Sequence, residues 1–378
     1  MRVVIVGEKY SKNLGDGVIF DVVEEICKSS DFVTDIIQFD ISGKKDYDLD
    51  NSKSFFKKVL LRFSYFKKRE RNNIENTRHE SVMRNLKSLD DEEIDCIVFA
   101  GGQMFMDYFV VPIKYIVEYF QKREIPIIFN SCGVGSLSVD NEKNLRDIIN
   151  SQNVVAISVR DHFDQFKNEF IANEKIRVEE CLDPVVELND YVELKPISDK
   201  NNVGIGIMHP ALFITSEFPF SEDNYKALIN KVIELLNNDN VKWEFFTNGS
   251  DDDENYLKQL SQELGFENKI STVAKNPKEL VSKINGYEKV ISFRLHSQII
   301  AQALHIPVIG FIWNDKVRYY GEITNTSEWF LELNNKTVKA VEPLVNKLLE
   351  TQKISVNSLI MKSSVFLNKE FARLEKNK

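Results

Sequence analysis

The chain has 378 residues, of which 43% are hydrophobic and 28% are charged, and its formal net charge is −9. This length exceeds the ~100–200 residues of a usual domain, so we expect two domains, and the apolar fraction is high enough for two packed cores, which argues against disorder. An acidic chain is a poor candidate for general nucleic-acid binding, because that function requires a basic surface.

The cysteines and the amino terminus indicate where the protein works. The four cysteines form no CxxC pair, since they lie far apart at positions Cys27, Cys96, Cys132 and Cys181. A disulfide framework or a structural zinc site is therefore not expected, and reduced thiols are the simpler interpretation. The apolar run at the amino terminus stops at Gly7, too early for a signal peptide, and no other run approaches the ~18 residues of a membrane-spanning helix. These features predict a soluble, cytoplasmic protein.

Short apolar, β-branched runs alternate with longer amphipathic stretches, which is typical of parallel α/β units. The first half of the chain holds predicted strands at 3–6, 36–39, 96–100, 126–129, 154–159 and 176–181. The second half holds predicted strands at 203–208, 243–247, 269–272, 290–293 and 308–313. Their nearly continuous apolar character is expected of strands that are buried on both faces.

An irregular, polar stretch separates the two series of strands. We therefore predict a first doubly wound domain over 1–190, a linker over 191–202, a second such domain over 203–335 and C-terminal helices over 336–378. Two such domains facing a cleft would bring two sets of strand C-termini to it, and in open α/β sheets ligands bind at that edge.

One segment departs from the acidic background. Residues 53–71 carry a charge of +7, which leaves −16 on the rest of the chain, and phenylalanines alternate with the bases at helical spacing. Such a segment can lie in a lipid interface with its rings inserted and its bases near anionic headgroups. A core-facing helix with a solvated basic face explains the pattern equally well. A calmodulin-binding or RNA-binding interpretation is less favoured than either.

Glycine-containing turns follow several of the predicted strands. After the first strand, Asn13-Leu14-Gly15-Asp16-Gly17 leads into an amphipathic helix, where backbone N–H groups can approach an anion. The motif is neither a dinucleotide fingerprint nor a P-loop, and Asp16 by itself is better explained as an N-cap than as a catalytic group. Gly101-Gly102-Gln103 and the glycines of 130–135 follow later strands. Each is a tight turn or a close approach to a ligand, and three such turns together favour a pocket lining.

Arg160 follows the buried run 154–159. A guanidinium in that position either pairs with an internal acid or faces an anion in the cleft. Because adjacent residues of a strand point in opposite directions, we expect Arg160 to face the cleft rather than to pair with Asp161.

The most informative segment is 291–304, in which a buried strand delivers Ser292, Arg294 and His296 just before an apolar helix. A base and an imidazole at a strand-to-helix turn suit anion binding together with proton transfer. Lys316 follows the next strand and is expected at the same edge. The remaining histidines (His79, His162, His209 and His305) lack metal-ligand spacing, and no G-x-S-x-G motif is present, so neither a metal site nor acyl transfer is indicated.

Taken in order, these motifs resemble the polysaccharide pyruvyltransferase family. The resemblance spans 3–316 and rests on N-x-G-D at 13–16, the glycines at 101–102, S-V-R-D at 158–161, D-P at 183–184, S-x-R-L-H-S at 292–297 and Lys316. The chain departs from the family pattern at Ala100, where a third glycine is common, and at Gln103, which makes that turn bulkier. Segment 53–71 is not part of the pattern.

The resemblance implies two Rossmann-like domains of the GT-B-like type. It also implies transfer of pyruvate from phosphoenolpyruvate to two hydroxyls of a cell-surface polysaccharide or glycan precursor, which gives a cyclic ketal. Phosphoenolpyruvate is a co-substrate in this reaction, and no metal or other cofactor is implied.

Residue roles follow from this chemistry. Arg160, Arg294 and Lys316, with Ser297, are expected to bind the phosphate and carboxylate of the donor. His296 is the candidate general acid, and Asp16, placed on the first domain, is the candidate base or hydroxyl orienter. The acceptor is expected to contact Tyr10, Asn13, Gly101, Gly102 and Gln103.

Two other functions remain open from sequence. A nucleotide-sugar glycosyltransferase of the same fold would place Arg294 and Lys316 on the phosphates of a nucleotide diphosphate. A non-catalytic glycan-binding protein would use the fold without turnover. A lipid-linked acceptor, with 53–71 docked on the inner membrane face, is a further hypothesis.

Overall fold

Parallel β-sheets form the centre of two compact units in the computed structural model, which describes residues 1–47, 78–194, 200–214 and 220–377. The first unit comprises Met1–Ser11, Ile26–Cys181 and Ser363–Lys378, and the second comprises Lys12–Glu25 and Leu182–Lys362. The basic segment 53–71 lies outside the described residues, so its predicted helix and its predicted membrane contact remain predictions.

The sheet of the first unit has the order β2-β1-β3-β5-β6-β7, with β4 paired to β5. Its strands are β1 (Arg2–Gly7), β2 (Asp35–Asp40), β3 (Cys96–Phe99), β4 (Gly102–Phe105), β5 (Ile127–Val134), β6 (Val154–Val159) and β7 (Arg177–Glu180). All the pairings are parallel, and β1 lies between β2 and β3. The carboxyl ends of the strands therefore share one edge, where the loops after β1 and β2 are neighbours.

Helices pack on this sheet through apolar faces of helical period. They are a helix over 78–87, α2 (Asp107–Gln121), α3 (Val139–Ile149) and α4 (Phe163–Phe170), whereas α1 (Leu14–Lys28) belongs to the second unit as far as Glu25. In α2 the buried residues include Phe109, Ile113, Ile116 and Phe120, which recur every three or four positions. The core also contains stacked rings, such as Phe99 on Phe129 with their centroids 4.3 Å apart.

The second unit holds a parallel sheet of order β12-β11-β10-β8-β9. Its strands are β8 (Asn202–Gly206), β9 (Lys242–Phe246), β10 (Lys289–Ser292), β11 (Val308–Ile312) and β12 (Phe330–Glu332). Its helices are α5 (Leu188–Tyr191), α6 (Ala211–Ile214), α7 (Glu222–Asn238), α8 (Asp251–Leu264), α9 (Pro277–Asn285), α10 (Leu295–Ala303), α11 (Asp315–Ile323) and α12 (Thr337–Glu350), and α13 (Ser363–Lys376) follows in the first unit. Two parallel-sheet α/β units confirm the predicted fold class.

Two strand predictions need correction. Residues 269–272 form no strand of their own, because they contain a single apolar residue to bury, Ile270, which makes one isolated bridge to Phe245 at the edge of the sheet. Conversely, β4 was expected only as a glycine turn, yet Gly102–Phe105 pairs with β5 in a shifted register.

The compact units also differ from the predicted domain boundaries. Residues 363–378 were expected with the C-terminal helices after the second domain, but α13 packs on β5 of the first unit, where Ser363 donates a hydrogen bond to Asn130 (2.9 Å). Residues 12–25, which include Asn13 and Asp16, were expected in the first domain but belong to the second unit. The predicted boundaries assign each segment to the domain that is nearest to it along the chain. The packing of these two helical segments determines instead to which unit they belong.

Within the described ranges, no helix combines the length and hydropathy that a membrane span requires.

Candidate active site

The junction between β10 and α10 carries the segment that the sequence singled out. Arg294 caps the helix with extended backbone angles, and His296 lies in the first turn. Two contacts hold the turn, because the Trp313 indole donates to the Phe293 carbonyl (2.7 Å) and the Gln298 amide donates to the Ser292 carbonyl (2.7 Å). All residues of α10 are buried, including the polar side chains of His296, Ser297, Gln298 and Gln302. His296 is thus fixed on a rigid element.

The His296 imidazole lies between two carboxylates of the second unit. Its Nδ1 is 3.6 Å from Asp16 Oδ1, and its Nε2 is 4.0 Å from Asp183 Oδ2. The side chain of His296 is 9% exposed, whereas that of Asp183 is 2% and that of Asp16 is 20% exposed. Carboxylates on both sides of the ring stabilise the positive charge of a protonated imidazole, which is the form that can donate a proton.

Asp16 reaches this position through the turn that begins α1. The helix starts at Leu14, so Asp16 lies in its first turn rather than at the predicted N-cap. The Asn13 amide donates to Asp16 Oδ2 (3.0 Å), which orients the carboxylate. Asp16 was expected on the first domain, but Asn13 and Asp16 both lie in the second unit with His296.

Asn248, which follows β9, connects the two motifs. Its backbone carbonyl accepts a hydrogen bond from the Leu14 N–H (2.9 Å), and its side-chain oxygen accepts one from the Ser297 hydroxyl. Asn248 and Ser297 are both buried. Ser297, which was predicted to bind the donor, therefore uses its hydroxyl to hold the N-x-G-D turn against the start of α10.

Gly15 is required by the approach of the imidazole. A Cβ at this position would lie 2.5 Å from both Cβ and Nδ1 of His296, closer than any real side-chain contact. The glycine of the N-x-G-D motif therefore leaves space for the ring of His296.

Asp183 was quoted in the D-P motif but was not predicted as a site residue. Its Oδ1 accepts a hydrogen bond from Val185 N–H (2.9 Å) and caps the short 3₁₀ turn Pro184–Glu187, while Oδ2 faces His296. An aspartate before a proline has the sequence signature of a helix cap. That signature does not indicate that Asp183 also faces the His296 imidazole.

Arg294 forms a bidentate ion pair with Asp253. Its Nε and Nη2 donate to the two carboxylate oxygens at 2.8 and 2.9 Å, and Asp253, which is fully buried, also accepts from His209 N–H (2.8 Å). This side of the guanidinium is thus committed to an internal acid. Asp253 was missed because it stands in an acidic run that resembles a solvated helix start. Helical spacing identifies it, since it shares a buried face with Tyr256, Leu257 and Leu260.

Lys316 lies in the first turn of α11, with its ammonium 5.2 Å from the centre of the Trp313 ring. Because β10 and β11 are parallel neighbours, Arg294, His296 and Lys316 all follow the same edge of the sheet, as predicted.

The other predicted site residues belong to the first unit. Gly101 has φ +105°, and a Cβ there would lie 2.7 Å from the Asn130 carbonyl oxygen, so this turn excludes other residues. Ser131 is buried in a left-handed conformation (φ +46°), a strained geometry that is concentrated at functional sites. Gly102 begins β4, and the Gln103 amide donates to the Val134 carbonyl (3.5 Å).

Arg160 contradicts the expectation that it points away from Asp161. Its Nε is 3.9 Å from Asp161 Oδ2, and both side chains are more than nine-tenths buried. The alternation rule fails here because β6 ends at Val159, before either residue. Burial raises the pKa of the neighbouring Cys132 thiol, an effect that Arg160 partly offsets, so Cys132 is a neutral thiol rather than a nucleophile.

Tyr10 lies in the loop after β1. Its N–H donates to Asp40 Oδ2 (3.0 Å), and its ring meets Tyr47 edge to face. The predicted site residues therefore form two groups, with Tyr10, Gly101, Gly102, Gln103 and Arg160 in the first unit and Asn13, Asp16, Arg294, His296, Ser297 and Lys316 in the second. Among the residues that the structure describes, no three His, Cys, Asp or Glu side chains are grouped to hold a metal ion.

We predict that Gly15→Ala destabilises the protein by about 1–3 kcal/mol, the usual cost of overpacking, because the new methyl group meets the His296 ring. The cost should fall below about 1 kcal/mol in a His296→Gly background, where the ring and its Cβ are absent. Urea denaturation of the four proteins of this double-mutant cycle measures the coupling. Equal costs in both backgrounds would show that the ring does not require the glycine.

Comparison with known proteins supports the assignment of both fold and family. The family model described as polysaccharide pyruvyl transferase matches residues 13–315. A search of curated protein sequences finds no match. Among solved structures, UDP-GlcNAc 2-epimerase from Methanocaldococcus jannaschii is 12% identical, with 100% of each chain covered and a TM-score of 0.58. UDP-N-acetylglucosamine 2-epimerase from Rickettsia bellii is 16% identical, with 100% of this chain and 96% of that one covered and a TM-score of 0.53.

Anabaena HepE, solved in complex with UDP and glucose, is 11% identical, with 100% of each chain covered and a TM-score of 0.54. At such identities the similarity shows the fold alone, and that fold is GT-B-like, as predicted. The family match covers most of the chain, including Asp16, Asp183, Arg160, Arg294 and His296. The chain therefore belongs to the polysaccharide pyruvyl transferase family.

Proposed function

We propose that this protein transfers a pyruvyl group from phosphoenolpyruvate to two hydroxyls of a saccharide, forming a cyclic ketal and releasing phosphate. The observation that carries the proposal is the position of His296 between Asp16 (3.6 Å) and Asp183 (4.0 Å), at the edge of the sheet where ligands bind in α/β folds. Family membership supports a pyruvyl transfer on a polysaccharide or its precursor.

The reaction begins with a proton transfer to carbon. Protonation of the methylene carbon of phosphoenolpyruvate by His296 makes the adjacent carbon electrophilic, and a sugar hydroxyl attacks that carbon while Asp16 takes the hydroxyl proton. The bond between that carbon and the phosphate oxygen then breaks, and phosphate leaves with the electron pair of the bond. The second hydroxyl closes the ring, and its proton leaves with the phosphate. The proton on Asp16 then returns to His296, so that of the two hydroxyl protons lost, one is gained by carbon and one by phosphate.

The two carboxylates have different parts in this scheme. Asp16 is the more exposed of the two, and the Asn13 amide holds one of its oxygens, which suits a group that receives a proton from a substrate. Asp183 is nearly fully buried and is anchored by its cap to Val185. We therefore assign Asp183 as a positioning residue, which acts through the orientation and charge of the imidazole.

Donor binding requires cations for one phosphate and one carboxylate. In the second unit, Arg294 and Lys316 follow the same sheet edge as His296, and the N-terminus of α10 adds partial positive charge. The bidentate pair with Asp253 holds Arg294 in one geometry, so less entropy is lost when a donor binds. Ser297 supports this site of the second unit through Asn248.

We predict that His296→Gln lowers turnover by ~10²–10⁴-fold, the usual contribution of a positioned proton donor, and that Asp16→Asn lowers it by a similar order. The assay incubates the protein with phosphoenolpyruvate and a panel of saccharides and measures phosphate release and, by mass spectrometry, the ketal. His79→Gln, the same change on a helix of the first unit, serves as the matched control.

Near-normal turnover of His296→Gln would contradict the assignment. Release of a nucleotide from a sugar donor would instead favour the glycosyltransferase. Thermal stabilisation by a saccharide without turnover of any donor would favour a glycan-binding protein.

Asp183→Asn separates the two roles of that residue. Asparagine caps as well as aspartate does, so the stability of the 3₁₀ turn should be retained while the negative charge beside His296 is lost. We expect kcat to fall at least tenfold, with KM for phosphoenolpyruvate changed less than threefold. An unchanged kcat together with an unchanged melting temperature would show that Asp183 is only a cap.

We further propose that residues 53–71 bring the protein to an anionic membrane surface that holds a lipid-linked acceptor. The proposal rests on the sequence, since +7 charges are interleaved with aromatic residues and each Lys or Arg near such a surface contributes ~1 kcal/mol. Cosedimentation should occur with anionic but not with neutral vesicles, and it should be lost when Lys57, Lys58, Lys67 and Lys68 are changed to Glu. The matched control changes four exposed lysines elsewhere, Lys87, Lys143, Lys175 and Lys242. Absent binding, or equal loss in both variants, would contradict the proposal.

A further inference from the structure

A cavity of about 240 Å³ lies in the first unit, beside the loops that follow β1 and β2. Because these two strands are parallel neighbours, with Gly7 paired to Asp40, both loops leave the same edge of the sheet. Lys9 and Tyr10 line the cavity from the first loop, Lys44 and Lys45 line it from the second, and Asn85 and Ser88 close it. None of these residues except Tyr10 has a part in the chemistry proposed above.

The lining carries an excess of positive charge in a chain whose net charge is −9. Three lysines are set against one carboxylate in the described lining, that of Asp40. Its two oxygens accept hydrogen bonds from the backbone N–H groups of Tyr10 (3.0 Å), Ser42 (2.9 Å) and Lys44 (3.2 Å). Burial raises the pKa of Asp40, and these hydrogen bonds and the Lys44 charge oppose that shift. The cavity therefore favours an anionic ligand.

The two loops are held together before any ligand binds. The Lys44 ammonium donates to the Tyr10 carbonyl (3.0 Å), and the Tyr47 hydroxyl donates to the Lys9 carbonyl (3.0 Å). The rings of Tyr10 and Tyr47 meet edge to face at 5.2 Å, and the Asn85 amide donates to the Gly43 carbonyl (3.2 Å). A cavity whose walls are joined in this way loses little conformational entropy on binding.

The size and the remaining lining narrow the class of ligand. The volume equals that of roughly eight water molecules at ~30 Å³ each, which exceeds what a bare phosphate or carboxylate fills. Asn85, Ser88 and Gln38 offer neutral hydrogen-bonding groups, and Tyr10 and Phe39 add aromatic surface. Hydroxyl-rich ligands with an apolar ring face match this combination.

We propose that this cavity binds a saccharide through an anionic substituent, a phosphate or a carboxylate, that Lys9, Lys44 and Lys45 recognise. This proposal rests on the proposed function, because it takes the bound saccharide to be part of the acceptor of pyruvyl transfer. The acceptor is then a sugar phosphate or a uronate-containing glycan rather than a neutral one.

Binding to the full chain is measured by calorimetry with four probes: glucose 1-phosphate, glucuronate, neutral glucose and inorganic phosphate. We expect one or both anionic sugars to bind at least tenfold more tightly than glucose and than inorganic phosphate. The phosphate and carboxylate arms identify which anion is recognised. If inorganic phosphate bound as tightly as both anionic sugars, the cavity would be a simple anion site. If glucose bound as tightly as the anionic sugars, charge would have no part in recognition. Either result, or the absence of binding by both anionic sugars, would overturn the proposal.

Charge-reversing variants locate the site. Lys9→Glu and Lys45→Glu should each weaken binding of the anionic sugar at least tenfold, because each removes a charge-assisted contact. Lys87→Glu makes the same charge change on a neighbouring exposed residue outside the lining and should leave binding within twofold. Lys316→Ala, in the second unit, should also leave it unchanged, which excludes binding at the donor cations. The proposal would be overturned if Lys316→Ala lost binding of the anionic sugar while Lys45→Glu retained it.

The outcome is separable from that of the proposed function. Binding of the anionic sugars without any pyruvyl transfer would overturn the transferase and leave the cavity assignment intact. Conversely, pyruvyl transfer with a KM for anionic acceptors that is unaffected by Lys9→Glu and Lys45→Glu would support the transferase and overturn the cavity assignment.

Discussion

A largely buried imidazole between two carboxylates is the interaction on which the second unit is organised. An imidazole that becomes charged away from water is costly unless opposite charge lies close to it, and Asp16 and Asp183 provide that charge from two different segments. The arrangement then depends on Gly15, which leaves space for the ring, and on Asn248, which binds both the turn before Asp16 and the hydroxyl beside His296. Each of these residues therefore provides the imidazole with compensating charge, with space or with a fixed position.

Two arginines, one in each unit, follow a related rule. Arg294 is held by the buried Asp253 and Arg160 lies beside the buried Asp161, so each guanidinium is fixed by an internal carboxylate. A chain of net charge −9 thus also uses some of its acids to position bases. Net charge describes the surface as a whole, whereas recognition depends on a few placed groups.

Much of the fold could be predicted from local pattern. Nearly continuous apolar runs indicated strands buried on both faces, and ten of the eleven predicted strands coincide with strands of the two parallel sheets. The eleventh, at 269–272, failed because a single apolar residue does not sustain pairing at a sheet edge. The domain boundaries differed for residues 12–25 and 363–378, because a helix joins whichever unit buries its apolar face, and this choice is not encoded in its own periodicity.

The sequence by itself determined the chemistry available to this protein: the motifs that identify the family, the strand ends that carry Arg294, His296 and Lys316, and the alternation that predicts two parallel sheets. Tertiary structure alone decided which distant groups meet. It placed Asp16 beside His296 within the second unit, turned a helix-capping Asp183 toward the same ring, and buried Asp253 under Arg294. Periodicity specifies which face of an element is buried, but contacts between segments far apart in sequence arise only when whole elements pack, so these partners were visible only in the folded chain.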